Sequence, residues 1–277
     1  KLVGIIGKGG TRKSLYSLLV VLENIKENNS RAIYSSMEMG NNPNMSRIID
    51  NVVDFQGGSS SSSNELEILE RDRPGVARKT LEDQVAPFLG NKLIMMDAGR
   101  MSVDGYDKAI EYHTRTGGKV HFLVVDSLSM MESKGDETTS YSINTAELKY
   151  LANKWDLCCL VMLHTARAVG GNVCTKHTRD SSRFVRGSEK ILDNVDFYIC
   201  ASLCIDQEKG SQEEPEYLKD VGYLYYHNKR GTGETIKAIY EISKQQLEFV
   251  QVDQHPDYYE VDMHKMNGKG KNLDLTF

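Results

Sequence analysis

The chain has 277 residues, 39% hydrophobic and 26% charged, with a formal net charge of -5. That is enough for one large α/β domain, and no apolar run approaches the roughly 18 residues a membrane-spanning helix needs. An acidic balance excludes a broad basic coat over duplex nucleic acid, so any nucleic acid must meet a local basic patch.

The elements alternate along the chain. Leu2 to Ile6 is an apolar run ending in glycines, and Lys13 to Lys26 carries Leu15, Leu18, Leu19 and Leu22 at helical spacing. Lys1 already stands at the edge of a strand, so the chain reads as a piece of a longer protein. A strand over Arg31 to Ser36 and a helix over Pro43 to Phe55 follow. The stretch from Gln56 to Asn64, with Gly57, Gly58 and Ser59 to Ser63, reads as a flexible loop or an artificial linker, because it offers no apolar surface to bury.

Next come helices over Arg78 to Phe88 and Gly105 to Thr116, with a strand at Lys92 to Met96 between them. Strands at Val120 to Val125 and Cys158 to Leu163 enclose a helix over Tyr141 to Trp155. Continuous apolar strands alternating with helices predict a mainly parallel sheet covered on both faces. Phe197 to Cys204, Gly222 to Asn228, Thr235 to Glu241 and Gln246 to Val252 have short connections and predict an antiparallel extension at one edge. The five cysteines, Cys158, Cys159, Cys174, Cys200 and Cys204, lack paired C-x-x-C spacing, so the pattern predicts reduced thiols in a cytoplasmic protein rather than a zinc site.

Gly7-Lys8-Gly9-Gly10-Thr11-Arg12-Lys13-Ser14 follows a strand and opens a helix, the context of a phosphate-binding P-loop. Backbone N–H groups there can curl around phosphate oxygens at a helix N-terminus. Lys13 would contact the β and γ phosphates of ATP, and Ser14 would offer its hydroxyl to Mg²⁺. Arg12 departs from the pattern, which has glycine before the lysine. The same residues also fit Lys-Gly-Gly-x-x-Lys-Ser, which resembles the ParA/MinD partitioning ATPases, with Lys8 as a signature lysine. Asp126 ends the run Phe122 to Val125, where a Mg²⁺-orienting Walker B carboxylate belongs; Asp97 is the competing candidate.

Five segments in order resemble the RecA-like motor domain of DnaB-type replicative helicases: the P-loop, Ser36-Met37-Glu38-Met39, the Asp126 strand, Val161-Met162-Leu163-His164, and Val185-Arg186-Gly187-Ser188. The departures point to a divergent, phage-like member. The resemblance implies a doubly wound α/β fold over residues 1–252, a C-terminal tail at 253–277 and an ATP-hydrolysing helicase that moves on single-stranded DNA as a homo-oligomeric, hexameric ring. It makes Glu38 the residue that activates water and His164 the γ-phosphate sensor. The segment Arg167 to Lys190 carries Arg167, Lys176, Arg179, Arg183 and Arg186 against Asp180 and Glu189, a local positive excess suited to DNA phosphates. Tyr226 to Gly231 resembles the segment that reaches a neighbouring subunit's nucleotide, with Lys229 or Arg230 as the trans-acting cation. The acidic, phenylalanine-ended tail resembles docking tails for a polymerase, primase or loader. A RecA/RadA-type recombinase and a nucleotide-binding scaffold or loader that does not unwind are the alternatives. ParA-like proteins would carry an aspartate-centred segment where Glu38 stands.

Overall fold

The computed structural model describes residues 1–39, 41–53, 62–96, 99–166, 168–169, 172–173, 181–186, 190–206, 216–228, 235–243 and 246–250. Strand β1 (Leu2–Gly7) leads through helix α1 (Lys13–Asn28) to β2 (Ala32–Ser36). Helices α2 (Asn41–Val52) and α3 (Ser62–Asp72) come next. A helical segment then runs through α4 (Val76–Thr80), a π turn (Leu81–Val85) and α5 (Ala86–Leu89) to β3 (Leu93–Met96). Helix α6 (Val103–Gly117), β4 (Phe122–Asp126), α7 (Glu137–Lys154) and β5 (Cys158–His164) follow. After two short paired strands, β6 (Ala168–Val169) and β7 (Asn172–Val173), come α8 (Lys190–Asn194), β8 (Phe197–Asp206), β9 (Glu216–Asn228), β10 (Thr235–Ser243) and β11 (Gln246–Val250).

The main sheet has the order β11-β10-β9-β8-β1-β5-β4-β2-β3. The run from β8 to β3 is parallel, and β9, β10 and β11 add antiparallel pairs at the β8 side. This is the mixed α/β architecture expected, with one refinement. Strand β8 is not simply the first strand of the extension: it pairs parallel with β1 and antiparallel with β9.

Although the central strands are apolar throughout, alternate residues face different cores. Leu2, Ile6, Leu123, Val125, Cys159, Val161 and Leu163 join the face packed by α6 and α7 through Tyr106, Ile110, Leu148 and Leu151. Val3, Ile5, Val124, Leu160 and Met162 join the face packed by α1 through Leu18, Val21, Leu22 and Ile25. Each strand residue of this kind removes its apolar surface from water, about 1.5–3 kcal/mol for a large aliphatic side chain, which is why the unbroken apolar runs are tolerated only in the middle of the sheet.

Local chemistry sets several helix starts. Ser102 accepts the Gly105 N–H at 3.1 Å and caps α6. Asp136 accepts the Thr139 N–H at 3.0 Å and caps α7, so that helix begins one turn before the expected Tyr141. The polar Thr138-Thr139-Ser140 turn hides the apolar period there. The loop expected over residues 56–64 is shorter at its end: Ser62, Ser63 and Asn64 open α3. Serine lowers helix propensity only modestly, and downstream Leu66 is buried and anchors the helix. Cys159 and Cys200 are buried thiols, and burial pushes the Cys159 thiol well up. Among the described residues no helix is long and apolar enough to cross a membrane.

Candidate nucleotide site

Because β1, β5, β4 and β2 are parallel neighbours, their carboxyl ends share one edge. Gly7 stands in register with His164, and Ser36 with Asp126. Ligands of open α/β sheets bind at this edge.

The phosphate loop leaves β1 at Gly7, where the backbone passes so close to β8 that a Cβ would sit 2.7 Å from the Ala201 carbonyl oxygen and 2.6 Å from Thr11 Oγ1. Thr11 is buried and closes the loop by donating its hydroxyl to the Lys8 carbonyl at 2.8 Å. Gly10 has φ 83, and Arg12 has φ 62 and ψ 21. The left-handed region costs an L-residue with a Cβ roughly 1–2 kcal/mol, which glycine avoids, so the departure seen in the sequence is carried as backbone strain. Buried Lys13 lays its ammonium across the loop and donates to the carbonyls of Gly7 at 2.8 Å and Lys8 at 3.1 Å.

Opposite the loop stand the ends of β2, β4 and β5. Asp126 is 1% exposed. Burial raises its carboxyl above the ordinary range, and a hydrogen bond from Ser14 works the other way. Its Oδ2 is buried without a hydrogen-bond partner. Glu38 Oε2 lies 3.1 Å from His164 Nε2. That bond, with the nearby Lys13 charge and Ser127, holds the Glu38 carboxyl below its ordinary range against partial burial. The end of β2 is fixed from three sides: the Met37 N–H donates to the Asp126 carbonyl at 2.8 Å, Tyr106 donates its hydroxyl to Ser35 Oγ at 2.9 Å, and Asn44 donates to Ser36 Oγ at 2.7 Å.

These groups line one open concavity of about 230 Å³, with Gly9, Gly10, Arg12, Lys13 and Ser14 on one wall and Glu38, Asp126 and His164 on the other. Arg47 of α2 also lines it. Its Nη1 is buried with no hydrogen-bond partner, and burial lowers its pKa. Sequence reading missed Arg47. The available signal is that Asn44, Arg47 and Ile48 share one helical face, with Asn44 and Ile48 fully buried. The orphaned Asp126 oxygen beside the Ser14 hydroxyl fits a hard divalent cation, and the cationic wall fits a polyphosphate.

The other expected residues divide in two. Past His164, the chain ends are stapled: Thr165 bridges Val185, the Ala166 N–H donates to the Phe184 carbonyl at 2.7 Å, and the Arg186 N–H donates to the His164 carbonyl at 2.8 Å. Arg183 is exposed, with its guanidinium 4.9 Å from the Phe184 ring centre, and Arg186 pairs with Glu137 at 2.6 Å. Both lie beyond the nucleotide concavity. Arg167, Lys176, Arg179, Lys229, Arg230 and Asp97 lie outside the described residues.

With a glycine-rich loop at the carboxyl edge of its parallel sheet and antiparallel strands beyond β8, the chain has a RecA-like fold. The chain superposes on solved structures of this fold. It matches the ATPase domain of G40P with a TM-score of 0.68 at 17% identity, over 90% of this chain and 84% of that one. It matches a DnaB-like replicative helicase, solved in a study of its interactions with primase, with a TM-score of 0.66 at 18% identity over 91% of this chain; it spans only 57% of that longer chain. A KaiC-like protein of Pyrococcus horikoshii OT3 shares the fold more distantly, with a TM-score of 0.52 at 13% identity over 90% of this chain and 89% of that one. No protein-family model and no curated protein matches the sequence.

Proposed function

We propose that this chain is the ATP-hydrolysing motor of a DnaB-type replicative helicase, moving on single-stranded DNA as a homo-oligomeric ring. The observation that carries the reading is the Glu38–His164 pair, 3.1 Å apart, facing Lys13 across one concavity. His164 is in turn bonded through its backbone to Arg186, at the far end of the basic segment.

Lys13 leaves the loop carbonyls and binds the β and γ phosphates of ATP. Asp126 and Ser14 would hold Mg²⁺, which when bound supplies charge neutralisation at the phosphate oxygens. Glu38 sits low in pKa, so it is ionised at neutral pH and can orient a water and accept its proton. His164 holds Glu38 until a γ-phosphate competes for its ring, and that exchange shifts the strand end to which Arg186 is stapled. Arg183 and Arg186, with Arg167, Lys176 and Arg179, supply the phosphate contacts to the strand. Lys229 or Arg230 belongs to the neighbour's site, and the tail beyond residue 252 is the place for a primase, polymerase or loader.

The test is ATP turnover with and without single-stranded DNA, in wild type and Lys13→Ala. Strong stimulation by DNA, abolished in Lys13→Ala, is expected. Nucleotide binding with no turnover would replace the motor with a scaffold.

A further inference from the structure

Arg12 occupies the one position in the phosphate loop where the backbone favours glycine and the chain does not use it. Its φ of 62 and ψ of 21 are left-handed, and as N-cap of α1 it makes no side-chain capping bond. Neither helix capping nor packing accounts for an arginine here, since the residue is exposed. Strained residues persist where the surroundings hold them, and they concentrate at sites of function.

The position of the side chain supplies the second observation. Arg12 lines the same concavity as Lys13, Glu38 and Asp126. It stands near enough to Arg47 to disfavour that guanidinium's charge, and Arg47 Nη1 has no hydrogen-bond partner. Two guanidiniums on one concavity form a wall that an anion with several equatorial oxygens would complete.

We propose that Arg12 is a catalytic residue acting in cis: its guanidinium contacts the γ-phosphoryl oxygens of the ATP held by its own subunit. The inference rests on the ATPase reading above. In the step, water oxygen bonds to the γ-phosphorus while the bond to the β–γ bridging oxygen breaks. The bridging oxygen leaves with ADP, the water proton passes to Glu38, and inorganic phosphate is released. Negative charge spreads over the equatorial oxygens, where a forked cation stabilises it most. A cis arginine supplies this from the subunit that holds the ATP, alongside the neighbour's cation proposed above.

The experiment measures ATP hydrolysis with and without single-stranded DNA, with thermal melting of the same samples, for wild type, Arg12→Gly and Arg12→Gln. Arg12→Gly relieves the left-handed strain, so it is expected to melt higher by roughly 2 °C, while its kcat falls by at least about tenfold with a smaller change in KM. Arg12→Gln keeps the strain and loses the charge, so it should lose the same kcat without the gain in melting temperature. Unchanged kcat in both variants overturns the proposal and leaves the ATPase reading intact. Absence of turnover in the wild type, both with and without single-stranded DNA, removes both.

Discussion

The backbone N–H of Arg186 donates to the carbonyl of His164 at 2.8 Å, while the side chain of the same arginine is paired with Glu137 at 2.6 Å. One residue therefore touches both the strand end that carries a nucleotide-facing histidine and the first turn of α7. Any displacement of His164 would reach Arg186 through a direct main-chain bond, without intervening side chains. Tyr141 adds its hydroxyl to Glu137 at 2.8 Å and holds the acceptor in place.

If Arg186 contacts a DNA phosphate, Arg186→Ala weakens binding to single strands of any sequence alike and lowers the slope of log affinity against log salt by about 1. A titration of labelled oligonucleotide at several salt concentrations reads this. An unchanged slope would take Arg186 out of the interface. Glu137→Gln is expected to act differently, loosening the guanidinium while the slope stays near the wild-type value.

The Glu38–His164 bond predicts a pH effect with a definite sign. The bond lowers the Glu38 pKa in the folded chain, so its stabilising contribution is present above the unfolded-state pKa and lost as pH falls through the folded one. For turnover, the ionised base survives into acid below the usual carboxylate range. Removing the bond in His164→Ala raises that pKa, so the acid limb of the kcat/KM profile moves to higher pH. An acid limb that stays in place would show that Glu38 is not the group titrating. Glu38→Gln should lower kcat by roughly 10²–10⁴ while ATP still binds.

Much of this frame was legible in the residues. Leu2 to Ile6 ending in glycines, and Phe122 to Val125 ending in Asp126, name the strands and the edge at which a site must lie, because burial on both faces demands unbroken apolar runs. Arg12 as a departure was visible too, since the pattern names glycine there. What escaped was set by tertiary packing. Arg47 becomes a lining residue only when α2 packs over the end of β2, through Asn44 on Ser36. Ser62 to Asn64 become helical in α3, although their composition suggests a linker. Strand β8 reads as part of a meander from its neighbours in sequence, and only the crossover places it beside β1.

Asp126 combines burial with an unpartnered oxygen, and that predicts opposed effects on stability and binding. Burial raises its pKa, so folding disfavours the ionised form. The penalty is absent below the unfolded-state pKa and fully present above the folded one. Asp126→Asn removes it. The variant is therefore expected to melt above wild type at neutral pH in the absence of ligand, by roughly 2–4 °C for each kcal/mol recovered. That gain should shrink in acid. Adding Mg²⁺ and ATP should raise the melting temperature of wild type and much less that of the variant. Equal ligand-induced shifts in both would show that Asp126 does not hold the metal.

Gly7 tests whether the loop's geometry or only its charge recruits phosphate. A methyl group there meets the Ala201 carbonyl oxygen at 2.7 Å and Thr11 Oγ1 at 2.6 Å. The first is main chain of a buried strand and cannot move without shifting β8, whereas Thr11 is also the residue that closes the loop on Lys8. Gly7→Ala must therefore either part β1 from β8 or open the loop. The cost is expected at about 1–3 kcal/mol, typical of overpacking a well-filled interior, and ATP affinity falls although every charged group is retained. Gly9→Ala is the comparison, because no atom lies within 4 Å of the added methyl, so its stability stays near wild type. Denaturant unfolding of both variants, with nucleotide binding measured on the folded protein, separates the two cases. If Gly7→Ala matches Gly9→Ala in stability, β1 and β8 do not approach as closely as described, and the loop owes its shape to Thr11 alone.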